Sequence, residues 1–319
     1  MTLEKTPPST LTAMEELVDS ARSFAANTRS ANTKKAYASD WSHFTTWAHA
    51  HGFESLPAEP AIVALYITAL AATRKPSTIT RRLAAISVVH QQAGHPTPTN
   101  HHDVRAISTG IRRTLGTAQR EATPLSLGDL RAMLAHLPDN TIGVRDRAVL
   151  LTGFAGALRR SELVAINIED LQPREEGLVL SVHRSKTDQE GAGRRVAIPY
   201  GHDRHTCPVR AIAAWRETSH VDDGPLFRSI DRHGNVANER LSAGAISLIV
   251  KTTARRARLD ATLLSGHSLR AGFCTTAAAA GASERAIAQQ TGHQSMDVLR
   301  GYIRLGSVFS DNAVTCLGL

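Results

Sequence analysis

Apolar side chains recur at steps of three and four residues over almost the whole chain, a spacing that restricts it to packed helices. Tyr37, Trp41, Phe44 and Ala48 stand at steps of four, three and four. They form one stripe of a helix ending at Gly52, and they read as core. Further helices lie over PAEPAIVALYITALAA, started by Pro60, and over PSTITRRLAAISVVHQQAG, started by Pro76 or Ser77. In the second of these, Ile79, Leu83, Ile86 and Val89 share one side, with Arg81 and Arg82 off it. DVRAISTGIRRTLG adds another helix and closes an all-helical domain near Gly116. GTAQREATPLSLGDL then reads as a linker into a helix capped by Ser126.

Two runs depart from this period. LVLSVHR alternates at Leu178, Leu180 and Val182, and RRVAIP at Val196 and Ile198, with the turn-rich SKTDQEGAG between them. They predict a β-hairpin inside an otherwise helical half. The expected fold is therefore mainly α: an N-terminal helical domain and a C-terminal, mostly helical domain with a small β-sheet. Residues 1–20 are expected to be a disordered tail, although a helical pattern already runs through Leu17, Ala21 and Phe24. The helical domain then spans 21–116 and the second domain 117–319.

Aromatic residues make up only 4% of the 319, which fits close-packed helices better than a β-sandwich. A formal charge of +8 points to a polyanionic partner, nucleic acid ahead of an anionic membrane surface. No apolar run reaches membrane-spanning length, and MTLEKTPPSTL lacks a signal-peptide pattern, so a cytoplasmic place is expected. Cys207, Cys274 and Cys316 are too scattered to read as a disulfide framework.

Four clusters of the second half each put a cation or an imidazole at a helix end or tight turn. ALRRSELVAINIEDL carries Arg159, Arg160 and Glu162, and SKTDQEGAGRRVAIP carries Lys186. GHSLRAG sets His267 and Arg270 on one face of a helix. In TGHQSMDVLRGYIR, His293 sits in a bend and Tyr302 follows nine positions later, flanked by Arg300 and Arg304. Ser283 and Ser295 look like N-caps there, and Gly292 like a helix stop. Each cluster alone has an ordinary explanation: a helix-surface ion pair, a solvated turn lysine, a satisfied core histidine, a core tyrosine. A phenol ionises near pH 10 and is a poor nucleophile unless cations surround it.

The order Arg, Lys, His-x-x-Arg, His, Tyr resembles the tyrosine recombinase (phage integrase) family. GALRRSEL, SKT followed by VAIP, CPVRAIAAW, HSLRAG and TGHQSMDVLRGYIR carry the resemblance, over about residues 25 to 305. PAEPAIVALYITAL, TITRRLAAISVVHQQAGHPTP and LFRSIDRHGNVA point to its Cre-like branch. The resemblance implies a core-binding (SAM-like) first domain and a catalytic second domain. Tyr302 would attack the scissile phosphate and form a 3′-phosphotyrosyl bond. Arg159 and Arg270 would grip its non-bridging oxygens, and Lys186 would protonate the departing 5′-oxygen. His267 would be an acid/base partner or phosphate ligand, His293 would donate to the phosphate, and Glu162 would orient the Arg159 region. Spacing alone does not choose between Arg159 and Arg160; the family phrase selects Arg159. Cre-like members carry tryptophan where this chain has His293, the commoner choice in the family.

Such transesterification stores the phosphodiester in the protein linkage and needs neither ATP nor metal, so no cofactor is expected. HDRHTC offers His202, His205 and Cys207 but no fourth ligand at zinc spacing. Lys35, Ser77 and Arg81 fall where the Cre-like pattern has DNA contacts. Arg240, Lys251, Arg255 and Arg256 add second-domain charge suited to phosphates. The implied partner is double-stranded DNA with inverted-repeat sites, recombined through a Holliday junction by a homotetramer in the nucleoid. The tail GSVFSDNAVTCLGL either folds back on its own domain or, by the family analogy, docks into a neighbouring protomer. A topoisomerase-like nicking–closing enzyme, a catalytically silent architectural protein and a metal-dependent nuclease are the competing readings.

Overall fold

The computed structural model describes residues 28–117, 123–183, 193–293 and 295–307, together with 17, 18, 20, 188 and 317. The chain divides into two units, one up to Arg120 and one from Glu121. The first contains α1 (Ala31–Ala50), α2 (Pro60–Ala71), α3 (Pro76–Gln92) and α4 (His102–Leu115). Ser30 caps α1 by accepting the Thr33 N–H at 3.2 Å. Pro60 and Pro76 open α2 and α3, where a missing N–H costs nothing. Phe44, Val63, Tyr66, Ile67, Ile79, Ile86 and Val104 form the core of this unit.

Arg82 does not lie off the packed side of α3. It is 7% exposed, its Nη1 donates to Tyr66 Oη at 3.1 Å, and its Nε lies 3.5 Å from the buried Asp40 carboxylate. A guanidinium can occupy that place because a counter-ion and a hydroxyl satisfy it, which apolar periodicity does not reveal.

The second unit runs α5 (Leu127–Ala135), α6 (Thr141–Ala155), α7 (Arg160–Ala165), β1 (Leu171–Arg174), β2 (Gly177–Val182) and β3 (Arg194–Pro199). It continues with α8 (Pro208–Ser219), β4 (Arg228–Ile230), β5 (Val236–Arg240), α9 (Ala243–Arg256), α10 (Gly266–Ala279), α11 (Glu284–Thr291) and α12 (Met296–Ser307). The fold is thus mainly α with small antiparallel sheets. The hairpin forms as the alternation required, with Leu178 opposite Ile198 and Leu180 opposite Val196. β1 extends it from the far edge of β2, and β4 and β5 make a separate pair. Neither was visible as alternation: β1 contains Pro173, tolerated on an edge, and β5 is largely exposed.

α6 is buried along most of its length and passes through the middle of the core, which Trp215, Phe227, Leu150 and Val250 also fill. Trp215 donates its indole N–H to the Leu226 carbonyl at 2.7 Å. Ser126 and Ser283 cap α5 and α11 as expected, accepting from Asp129 and Ala286. No described helix is long and apolar enough to cross a membrane. Lys186 with its turn, most of the early helical pattern and nearly all of the tail lie outside the described residues.

Candidate active site

The site is built around a buried carboxylate. Glu162, on the first turn of α7, exposes none of its side chain and receives two guanidinium groups. Arg159 Nη1 donates to Oε1 at 2.6 Å, and the Arg159 backbone N–H donates to Oε2 at 3.0 Å, the carboxylate half of a capping box. Arg194 Nη2, from β3, donates to Oε2 at 2.9 Å. Burial alone would raise the pKa of Glu162; the Arg159 hydrogen bonds and the Arg194 charge outweigh it and hold the carboxyl below its usual range. Arg160 turns elsewhere, donating to Ser247 Oγ at 3.0 Å on α9. Of the pair left open by spacing, Arg159 lies on the clustered side and Arg160 does not.

Arg270 enters from α10 and is 1% exposed. Its Nη1 donates to the Ala157 carbonyl at 2.7 Å and the Thr291 carbonyl at 2.6 Å. Its Nη2 is buried and finds no hydrogen-bond partner among the described residues. Burial, with the like charge of Arg159 second, draws its pKa down to about 10, so it stays cationic at neutral pH. A buried cation with an unspent donor is a ready receptor for an anionic oxygen.

α11 ends at Gly292, whose φ of +65° turns the chain back so that His293 faces the cluster. A Cβ at Gly292 would meet Arg194 Cδ and Nε at 2.8 Å. The position needs glycine for backbone and space alike. His293 Nδ1 lies 2.8 Å from Thr291 Oγ1. Burial, then the charges of Arg270, Arg159, His267 and Arg194, lower the His293 pKa to about 4. That ring is neutral at physiological pH.

α12 packs on α10 and α11 through Leu299, Ile287 and Cys274, with Phe273, Met296 and Tyr302 around them. This docking brings Tyr302 Oη to 2.7 Å from His267 Nε2. The Tyr302 ring centroid is 6.1 Å from that of His267 and 6.2 Å from that of His293. Arg300, two positions before the phenol in sequence, turns away and pairs with Glu284 at 3.3 Å on α11. One helix turn places neighbours in sequence on different faces, so the phenol's company comes from α10 and the Gly292 bend.

The second unit therefore gathers Arg159, Glu162, His267, Arg270, His293 and Tyr302, while Lys186 lies outside the described residues. Arg194 joins them without having been singled out in the sequence. In the first unit Lys35 and Ser77 are exposed on α1 and α3, and Arg81 makes a two-pronged contact with Asp40 at 2.7 and 3.0 Å. Arg240 is committed to the Val164 carbonyl and to Asn167 Oδ1, so it ties β5 to the end of α7. Arg255 and Arg256 are exposed at the C-terminal end of α9, and Lys251 is half-buried. Among the described residues no His, Cys, Asp and Glu group of three or more has metal-binding geometry. Cys207 Sγ instead accepts the Gly201 N–H at 3.2 Å.

Residues 125–307 match the phage integrase family. The integrase/recombinase xerD homolog of Selenomonas ruminantium is 43% identical over 288 residues, 89% of this chain and 84% of that protein. The recombinase cre of Escherichia phage P1 is 26% identical, over 82% of this chain and 80% of its own. The sequence likeness to the xerD homolog thus exceeds that to cre. Among solved structures, a lambda integrase dimer bound to a COC′ core site superposes with a TM-score of 0.61. Identity there is 16%, with 90% of this chain and 93% of that one covered, a likeness of fold.

Proposed function

The chain belongs to the phage integrase family, and we propose that Tyr302 is the nucleophile with which it cuts and rejoins DNA. Its activity is site-specific recombination, a DNA strand transesterification. The observation that carries our assignment of the nucleophile is the 2.7 Å contact between Tyr302 Oη and His267 Nε2. It lies beside a His293 ring that feels both Arg159 and Arg270.

In this reading the scissile phosphate lies between the phenol and the two guanidinium groups. His267 takes the phenolic proton as Tyr302 Oη attacks phosphorus. The P–O5′ bond breaks, and Lys186 supplies the proton to the departing 5′-oxygen. Arg159 and the free Nη2 of Arg270 hold the non-bridging oxygens, whose charge grows toward the pentacovalent transition state; stabilisation specific to that state raises the rate. His293 closes the remaining side of the phosphate. Glu162 keeps Arg159 oriented and does not touch the substrate. The 3′-phosphotyrosyl linkage keeps the phosphodiester's free energy, and a second 5′-hydroxyl reverses the steps on a new strand through a Holliday junction.

The segment 21–116 of the first unit acts as the core-binding domain, with Lys35 and Ser77 facing DNA and Arg81 reaching a phosphate past its Asp40 partner. The segment 117–319 is catalytic; residues 1–20, expected as a tail, lie outside the described residues apart from 17, 18 and 20. The active assembly is a homotetramer on two inverted-repeat sites in the nucleoid of the cytoplasm. Deleting residues from Val308 onward is expected to spare single-site binding and abolish pairing of two sites; full recombination by that truncation overturns the tetramer reading.

The nucleophile is tested with nicked suicide duplexes tiled across the DNA that flanks the gene. A denaturing gel should show a protein–DNA adduct, formed in EDTA, that Tyr302→Phe lacks. Strand exchange between two sites separates a recombinase from a nicking–closing enzyme, and an adduct surviving in Tyr302→Phe refutes the assignment.

A further inference from the structure

We infer that Arg194 is a positioning residue: its two terminal nitrogens lock the Glu162 carboxylate and the turn bearing His293 to strand β3. The inference rests on the reading of Arg159 and His293 as phosphate-facing groups. Arg194 lies at the start of β3, where the strand leaves the hairpin turn. Its Nη2 donates to Glu162 Oε2 at 2.9 Å and its Nη1 to the Gln290 carbonyl at 2.6 Å. Those acceptors belong to α7 and α11, so one planar group joins three elements. The stem of the same side chain packs where a Cβ of Gly292 would be, directly under the residue before His293.

The arrangement exceeds what an ion pair requires. Glu162 already has Arg159, and a surface arginine would reach it without ordering anything else. Arg194 is 17% exposed and gives one donor to a charge and one to a backbone carbonyl at a helix end. Gln290 repeats the tie from the other side, donating its side-chain amide to the Ala155 carbonyl at 2.9 Å and the Ala197 carbonyl at 3.1 Å. The bend that presents His293 is thus held to β3 by both a side chain and a backbone atom of Gln290. A lysine would keep the charge but place a single nitrogen where two directions are needed.

Charge and position separate experimentally through two substitutions in the full-length protein, Arg194→Met and Arg194→Lys. The carboxyl of Glu162 faces Arg159 and Arg194, and the ring of His293 faces Arg270, Arg159, His267 and Arg194. In the DNA-free protein, Arg194→Met should raise the titration midpoints of both groups, followed by side-chain 13C and 15N NMR. Arg194→Lys should leave both near their wild-type values. On a nicked suicide duplex that the wild type cleaves, both variants should form adduct slower by about 10²-fold, the order of loss a misplaced group produces. Their affinity for the same duplex should be unchanged.

Arg194→Lys cleaving at the wild-type rate overturns the inference, because charge without the fork would then suffice. Unmoved midpoints in Arg194→Met overturn it as well, since neither group would then sense Arg194. If the wild type forms no adduct that Tyr302→Phe lacks, the nucleophile assignment fails instead. In that case the two NMR midpoints still decide the placement of Arg194.

Discussion

Tyr302 Oη and His267 Nε2 stand 2.7 Å apart across the contact between α12 and α10, although 35 positions separate them. Packing of Leu299 and Ile287 against Cys274 makes that approach, so the proposed nucleophile and its proposed proton acceptor are brought together by a small hydrophobic cluster. His267→Ala is expected to slow adduct formation by about 10²–10⁴-fold, the range of a lost general acid–base group. Single-turnover cleavage of a suicide duplex measures it. Wild-type rates in His267→Ala would show the contact to be incidental.

His293 should titrate far below an ordinary histidine. Its ring Cε1–H signal is expected to move with a midpoint of about 4 in place of 6.5. The folded state then binds fewer protons than the unfolded chain between those values, so stability is complete above 6.5 and falls as the pH drops below it. Thermal midpoints taken between pH 7 and 5 should decline in the wild type and decline less in His293→Phe. A midpoint near 6.5 would place His293 outside the cationic cluster.

Glu162 behaves in the opposite chemical sense with the same direction in pH. Its folded pKa lies below the ordinary 4.5, so its contribution is complete above 4.5 and is lost as the pH falls through the lower folded value. Glu162→Gln leaves Arg159 and Arg194 facing a neutral amide. The expected cost is about 3–5 kcal/mol, as for a buried pair with one partner removed. Urea unfolding followed by Trp215 emission, with Trp41 and Trp47 replaced by phenylalanine, reports on the second unit. A loss indistinguishable from zero would mean that the guanidinium groups re-pair with solvent.

Much of the site was legible because its motifs are local. Arg159 with Glu162, His267 with Arg270, and Gly292 with His293 each sit within one helix turn, where spacing dictates proximity. Arg194 escaped notice because its acceptors are 32 and 96 positions away, on elements that meet β3 only after folding. Arg82 misled for the same reason: the buried groups that accommodate it, Asp40 and Tyr66, belong to other helices. Arg300 is the reverse case: it stands two positions before Tyr302, yet the helix turn points it to another face, where it pairs with Glu284. Long helices followed from apolar period, whereas β1 and the β4–β5 pair carry too few buried alternating positions to show one.

Gly292 gives the most direct test of the bend. An alanine there must hold φ near +65°, a conformation that costs an L-residue about 1–2 kcal/mol. It must also push Arg194 aside, because the new methyl would lie 2.8 Å from Cδ and Nε. That displacement strains both Arg194 hydrogen bonds, the one to Glu162 and the one to Gln290. Gly292→Ala should therefore lower the stability of the second unit and cut adduct formation by more than the stability loss accounts for. Gly281→Ala is the matched comparison: its φ is +84°, yet a Cβ there meets nothing within 4 Å. It carries the backbone strain without the collision and should cleave DNA near the wild-type rate once folded. Equal cleavage defects in the two variants would assign the effect to backbone strain and remove Arg194 from the explanation.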